Sequence, residues 1–512
     1  MRTKNSIINM LASIGAQAIT ILLGFITQKV FINSLGTEVL GINGLFSNII
    51  SMLAIAELGI STAVIYNLYK PVAENDKEKI KKYMNFYKIC YRIILLIITF
   101  LGLVIFPFIK YFVGNVTITY NIYIIYTLFL FDTIASYTLT YKRSILYADQ
   151  KNYIINIIHI GYLILLNVGQ IFLLIRFKNY IAYLILKIIM RLLENIIINI
   201  YVMRKYEYLK EHVNEKLSKE EKGHFFRELK GLIFHKISWT VISGTDNIII
   251  SKFVGIISVG IYSNYTMITN TLEQFMAQIF SAMTGSVGNL LALESQEKAY
   301  EIYKRTEMLQ FIIYSTVTIG IFVVSKPFIE VWLGNKEFIL DDLTVFTLSL
   351  SFFISGMRRN ICIFKDASGI FYKDRFYSLG AAFINIIFSI ILVKFYGIKG
   401  VIIGTIICYL FLHIVSYPKN IYETIFGRKK IEYIIEFIKY NCLVIFYMLI
   451  TVVVVKYTII NNKILELIKD AVLAVIIPNI ITVSIFRKKE EMSYLKQLIF
   501  NIIKNKMEEK KQ

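Results

Sequence analysis

The chain has 512 residues, of which 56% are hydrophobic and 18% charged, with a mean hydropathy of +0.61. That composition excludes an ordinary soluble globular domain, and the apolar runs leave no room for a large soluble one beside them. A net charge of +21 would suggest nucleic acid in a soluble protein, but here the basic residues stand between apolar runs, which is the pattern of cytoplasmic loops.

The N-terminal stretch MRTKNSIINMLASIGAQA has the basic start and small residues of a signal peptide. Its apolar run continues through ITILLGFI, so it reads as a retained first span. Apolar runs long enough to cross hydrocarbon follow at 6–32, 41–66, 89–109, 120–141, 153–175 and 180–202. A charged stretch separates them from runs at 232–254, 259–287, 308–331, 338–363, 377–395 and 398–417, and two more lie at 437–455 and 464–486. The expected fold is all-α, a polytopic membrane protein of about fourteen transmembrane helices. Its expected divisions are a six-helix lobe over 1–204, a charged cytoplasmic linker over 205–231 and a second six-helix lobe over 232–418. Residues 419–512 supply two additional helices and an amphipathic tail.

Lys and Arg alternate between successive loops. Lys70, Lys77, Lys79, Lys81 and Lys82 form one basic group, followed on the same side by Lys142 with Arg143, the linker, Arg358 with Arg359, and Arg428 to Lys430. The positive-inside rule then places both termini in the cytoplasm. Leu495, Leu498, Ile499, Ile502 and Ile503 share one helical face, as do Ile431, Ile434, Ile435 and Ile438, and both stretches are expected on the anionic inner leaflet. Cys90, Cys362, Cys408 and Cys442 have no metal-ligand spacing and read as small core residues.

The second half echoes the first. FINSLGTEVLGINGLFSN aligns without a gap on ISKFVGIISVGIYSNYTM, so that Gly36 and Gly41 fall on Gly255 and Gly260, and the same offset carries Ala73, Glu78 and Lys79 onto Ala292, Glu297 and Lys298. An even number of spans per repeat gives both halves one orientation, with an axis along the membrane normal and a central cavity where the two bundles face.

Residues 35–80 and 244–265, including the run GTDNIIISKFVGIISVGIYSNY, resemble the polysaccharide-biosynthesis flippases of Gram-positive type. These are Wzx-like members of the superfamily that includes the multidrug and toxin extrusion carriers. The resemblance implies a V-shaped, two-lobed bundle in a bacterial cytoplasmic membrane. It also implies outward movement of undecaprenyl-diphosphate-linked oligosaccharide by alternating access.

Ionisable side chains in hydrocarbon are costly and point to function. Glu57 in span two, Asp132 in span four, Asp246 in span seven and Glu273 in span eight are the candidate cavity acids, suited to a coupling ion, H+ or Na+. Asp246 leads because it lies in the resembling block. For a diphosphate headgroup the candidates are Arg358 and Arg359, with Lys142 and Arg143 opposite, then Lys29 and Lys252. The structural reading of all six is snorkelling at helix ends. Lys187, Arg191 and Glu194 in span six are spaced for internal pairing.

The five histidines His159, His212, His224, His235 and His413 do not cluster, and neither HExxH nor a nucleotide-binding GxxxxGK[ST] occurs. No cofactor is expected. The expected partners are the lipid-linked oligosaccharide and membrane lipids, with a polysaccharide polymerase and glycosyltransferases acting on the same glycan and no nucleic acid. Two other readings stay open: a drug or cation exporter using the acids, and a membrane polymerase or acyltransferase.

Overall fold

In hydrocarbon every backbone donor and acceptor must be satisfied within its own segment or a closed barrel, and apolar runs of about twenty residues meet that demand as helices. The computed structural model describes residues 2–57, 60–211, 217–281, 283–370 and 374–509, and every regular element among them is helical. It divides into two compact units, Met1–Gly260 and Ile261–Gln512.

The first unit contains α1 (Arg2–Leu35), α2 (Thr37–Leu53), α3 (Ile60–Glu74), α4 (Lys77–Ile105), α5 (Ile109–Val113), α6 (Ile122–Tyr137) and α7 (Arg143–Ala148). It continues through α8 (Asn152–Phe177), α9 (Tyr180–Lys205), α10 (Lys219–Gly244), α11 (Asp246–Phe253) and the start of α12 (Ile256–Ser281). The second unit holds the rest of α12, then α13 (Thr284–Leu293), α14 (Gln296–Leu333), α15 (Asp342–Ser368), α16 (Arg375–Tyr396) and α17 (Ile398–Phe411). It ends with α18 (Glu423–Phe426), α19 (Lys430–Tyr457), α20 (Lys463–Phe486) and α21 (Glu490–Glu509).

Among the described residues, nine segments are long and apolar enough to cross a membrane. Helices α9 and α15, of 26 and 27 residues, are also long enough, since 26 residues rise about 39 Å. They carry Lys187, Arg191 and Glu194, and Arg358, Arg359 and Lys365, inside their length.

Several expected spans are interrupted. The second divides at a 3₁₀ turn, Ala54–Glu57, between α2 and α3. The fourth breaks where Thr138 turns extended and Leu139 takes a left-handed φ of 63°, and the seventh breaks at Thr245 between α10 and α11. Part of the charged linker is helical: Ser218 and Glu221 form a reciprocal capping box that starts α10, while 212–216 lie outside the described residues.

Of the two glycine pairs matched by the repeat, one takes special backbone conformations and the other forms a close contact. Gly36 and Gly255 both adopt positive φ, 86° and 122°, which favours a residue without a Cβ. A Cβ on Gly41 would lie 2.0 Å from the Ile256 carbonyl oxygen, and one on Gly260 would lie 2.4 Å from the Thr37 oxygen. The offset that carries Gly41 onto Gly260 also carries Thr37 onto Ile256, so the contact is self-complementary, as at a two-fold interface. Asn48 donates to Gly244 O at 3.4 Å and Asn247 donates to Gly44 O at 3.5 Å, which hold the same junction.

In the second unit, α19 and α20 pack on α14. Phe311 of α14 stacks on Tyr440 at 4.4 Å, and Asn479 of α20 donates to the Thr316 hydroxyl at 2.9 Å. Buried His413 stacks on Phe437 at 4.0 Å in a π-helical stretch beside Pro418.

Two sequence expectations change. Ile431, Ile434, Ile435 and Ile438 belong to the uninterrupted helix α19, since no helix breaker separates them from the span, so they do not form a distinct interfacial helix. In α21, Leu495 is buried and Leu498 exposed, whereas of Ile499, Ile502 and Ile503 only the helical backbone is described. The cysteines are free; Cys90 and Cys408 are buried as expected, but Cys442 is exposed.

Candidate functional site

The acids expected inside the membrane fall into three different environments. Glu57 closes the 3₁₀ turn between α2 and α3, where the interruption brings its carboxylate to two hydroxyls. Tyr137 donates to Oε2 at 3.1 Å and Tyr91 to Oε1 at 3.4 Å. Tyr87 and Tyr91 lie one turn apart on α4 with ring centroids 4.9 Å apart, so the cage is aromatic as well as polar. Among the described residues no cation pairs with Glu57.

Asp132 lies in a charge ladder built on α9. Lys187 and Arg191, four residues apart, reach it from one helix face at 3.0 and 3.2 Å. Glu194, one turn further, is buried and takes His159 at 2.9 Å and Arg143 at 3.3 Å. Arg143 also donates to Asn195 Oδ1 at 2.8 Å, and Asn195 donates to Ala135 O at 2.9 Å. Lys187, Arg191 and Glu194 therefore find partners on α6, α7 and α8 rather than among themselves. Two carboxylates face three permanent cations, which meets much of the cost of keeping charge in the span.

In the second unit, Glu273 on α12 pairs with Arg359 on α15 and accepts from the Tyr314 hydroxyl at 3.1 Å. Arg359 Nε donates back to that hydroxyl at 3.2 Å, closing a triangle. Tyr314 reaches it because Gly356, nearly one turn before Arg359, leaves room: a Cβ there would lie 2.1 Å from the ring. The Arg359 and Glu273 side chains each remain 28% exposed.

The basic pairs expected to act together are separated. Successive helical residues diverge by about 100°, so Arg358 turns to the Tyr409 ring, 5.2 Å away, while Arg359 faces Glu273. Arg143 joins Glu194, but Lys142 rests against Met203. Lys252 lies 3.4 Å over the Tyr111 ring and donates to Tyr111 O at 3.4 Å, whereas Lys29 is exposed on α1. Asp246 stands half-buried at the first position of α11, where the helix dipole favours a carboxylate.

Sequence reasoning missed Tyr91, Tyr137 and Tyr314, which complete the acid sites. The chain contains 35 tyrosines, so the residue type alone marks nothing. A usable signal was the i,i+4 repeat of Tyr87 and Tyr91 at the basic entry to the run 89–109.

No curated protein matches the chain's sequence. Among solved structures, the lipid II flippase MurJ in an inward closed conformation superposes with a TM-score of 0.66 at 15% identity, over 94% of this chain and 99% of that one. An inward-facing multidrug resistance transporter of the MATE family in the MOP superfamily gives 0.56 at 14% identity, over 78% and 96%. The MATE transporter VcmN of Vibrio cholerae gives 0.55 at 14%, over 84% and 99%. At such identities these likenesses establish the fold alone: a multi-pass helical membrane protein with the architecture of these transporters. The family model described as "Polysaccharide biosynthesis protein" matches residues 5–284, more than half of the sequence, and the chain belongs to that family.

Proposed function

We propose that the chain is a flippase, not an enzyme, that carries undecaprenyl-diphosphate-linked oligosaccharide from the inner to the outer leaflet for surface polysaccharide synthesis. The reading uses alternating access between the proposed six-helix lobes, 1–204 and 232–418, with both termini cytoplasmic in a bacterial plasma membrane. A polymerase and glycosyltransferases acting on the same glycan are its proposed partners.

The Arg359–Glu273–Tyr314 triangle is the observation that carries it. A diphosphate entering hydrocarbon unscreened is strongly disfavoured. A half-exposed arginine already held in place by a carboxylate can exchange that partner for phosphate oxygens without a new buried charge. Among the other basic candidates, Arg143 is committed to Glu194 and Arg358 to an aromatic contact, so both serve the fold in this reading. Glu57, held among the described residues by hydroxyl donors, is the proposed place for a coupling H+ or Na+, with Asp246 second.

Proteoliposomes loaded with the lipid-linked saccharide test the reading directly. Translocation should require the diphosphate and should fall at least tenfold with Arg359→Gln. A chain that exports organic cations and ignores the saccharide would instead be an exporter. Orientation is tested separately: a cysteine introduced at Glu207 should resist an impermeant thiol reagent applied outside intact cells, and labelling there inverts the proposed topology.

A further inference from the structure

The start of α4, the turn Thr140–Lys142, the end of α9 and the turn Glu207–Lys210 border an open cavity of ≈ 570 Å³. Lys81, Lys88, Lys142 and Lys210 line it, with Glu211 as the carboxylate among the described lining residues. We propose that this cavity binds a phosphate-bearing anion, separately from the Arg359–Glu273 pair.

The four ammonium groups are not equivalent. Lys81 is buried and already satisfied, with Glu78 at 2.6 Å and Glu211 at 2.9 Å. Lys210 has Glu207 at 3.8 Å across an exposed pair, a contact of little strength. For Lys88 and Lys142, no carboxylate lies within ion-pair distance among the described residues. The Lys142 ammonium instead rests 2.7 Å from the Met203 thioether sulfur, and thioether is a weak acceptor. It also lies 5.9 Å from the Tyr141 ring, so its surroundings are half-apolar.

Lys88 and Lys142 both line this cavity, so two like charges face one space. Like charges facing one half-apolar space favour an anion between them. Small-molecule sites occupy about 300–1,000 Å³, so this cavity accommodates a headgroup rather than a bare ion. Lysines bind phosphate as point charges, without the paired geometry that carboxylates draw from arginine.

The source of that phosphate is readable from the neighbouring helix face. Ile89 and Ile93, which follow Lys88 on the adjoining face of α4, are 44% and 51% exposed, so exposed apolar surface begins within a turn of that lysine. Basic pockets at that depth suit anionic lipid headgroups. A free phosphate or phosphate ester offers the same oxygens.

The experiment uses the full-length protein in detergent and reads thermal unfolding and lipid retention by native mass spectrometry. The probes are phosphatidylglycerol, phosphatidylcholine and inorganic phosphate. Phosphatidylglycerol should be retained and stabilising where phosphatidylcholine is not, and Lys88→Gln with Lys142→Gln should remove more than half of that difference. The charge-keeping pair Lys88→Arg with Lys142→Arg should preserve it.

If inorganic phosphate stabilises the protein and displaces phosphatidylglycerol, the site is confirmed with soluble phosphate as its source; if it does neither, the headgroup is the source. Equal retention of both lipids with no effect of phosphate overturns the proposal. So does a folded glutamine pair that keeps the full discrimination. Should the glutamine pair fail to fold, the parent protein decides: the phosphatidylglycerol effect must weaken as salt rises from about 50 to 500 mM, and an effect indifferent to salt overturns it.

Discussion

Glu57 and Glu273 stand nearly matched in the two repeats, and their surroundings differ in one respect that changes their chemistry. Each accepts a tyrosine hydroxyl, from Tyr137 at 3.1 Å and from Tyr314 at 3.1 Å. Glu57 takes a second hydroxyl, whereas Glu273 takes a guanidinium. A carboxylate held by neutral donors keeps an uncompensated charge that a small cation can cancel. One held by arginine is cancelled already and can change only by exchanging partners. The repeat thus places an acid in each half, and the residue opposite each decides whether its charge is left open or already cancelled.

The largest expected effect comes from making the second site resemble the first. Arg359→Gln leaves Glu273 with Tyr314 alone, and breaking a buried pair from one side costs about 3–5 kcal/mol. The pair here is partly exposed, so about 2 kcal/mol is expected, measured as a lowered unfolding midpoint of the purified protein. The double variant Arg359→Gln with Glu273→Gln should recover most of that stability and none of the saccharide translocation. Recovery of both would make the pair a structural tie and remove the distinction between the two acids.

Next in size is the contrast between Glu57→Gln and Glu273→Gln. An amide at 57 can still accept from Tyr137 through its oxygen while its NH2 donates to the Tyr91 oxygen, so stability should change by less than about 1 kcal/mol while ion-dependent transport is lost at normal protein abundance. An amide at 273 strands the Arg359 charge and should destabilise by about 2 kcal/mol. Equal destabilisation of the two variants would mean that Glu57 has a cationic partner in the working protein.

Much of this architecture could be read from residues alone, because it rests on periodicity and on glycine. The apolar runs became helices, and the matched glycines met at a self-complementary junction, since only residues lacking a Cβ allow those backbones to approach. What stayed hidden depends on direction rather than on composition. Arg358 and Arg359 are adjacent in sequence and opposite in contact, and separating them requires the rotation of α15. Lys142 and Arg143 diverge by the same rotation, both having right-handed helical dihedrals, while the break just ahead of them at Leu139 is left-handed, a conformation leucine seldom adopts and no local pattern announces. The acids were found as costly charges, but their tyrosine partners were indistinguishable from the many other tyrosines of the chain.

That junction offers a test of intermediate size that bears on duplication rather than on charge. Gly41→Ala and Gly260→Ala would each drive a methyl group into a backbone carbonyl, of Ile256 and of Thr37. Overpacking of this kind costs about 1–3 kcal/mol. Because the two contacts are images of one another, the two variants should be destabilised alike, and the double variant by less than the sum, since either methyl alone already parts the backbones. Strongly unequal single effects would show that the symmetry of the sequence is no longer matched by the energetics.

The smallest expected effect sets the scale for the rest. Lys70 and Glu74 form an i,i+4 pair near the end of α3, at 3.9 Å, with side chains 78% and 56% exposed. In water such a pair gains little over separate hydration and must order two long side chains, so exposed pairs contribute about 0–1 kcal/mol. Lys70→Ala should therefore shift the unfolding midpoint by no more than the scatter between preparations, and saccharide translocation should be unchanged. The same one-charge deletion made at Arg359 is expected to be felt in both measurements, although the chemistry removed is similar. A comparable loss at Lys70 would mean that the response follows net charge and not the place where the charge is held, and the contrast between Glu57 and Glu273 would lose its physical basis.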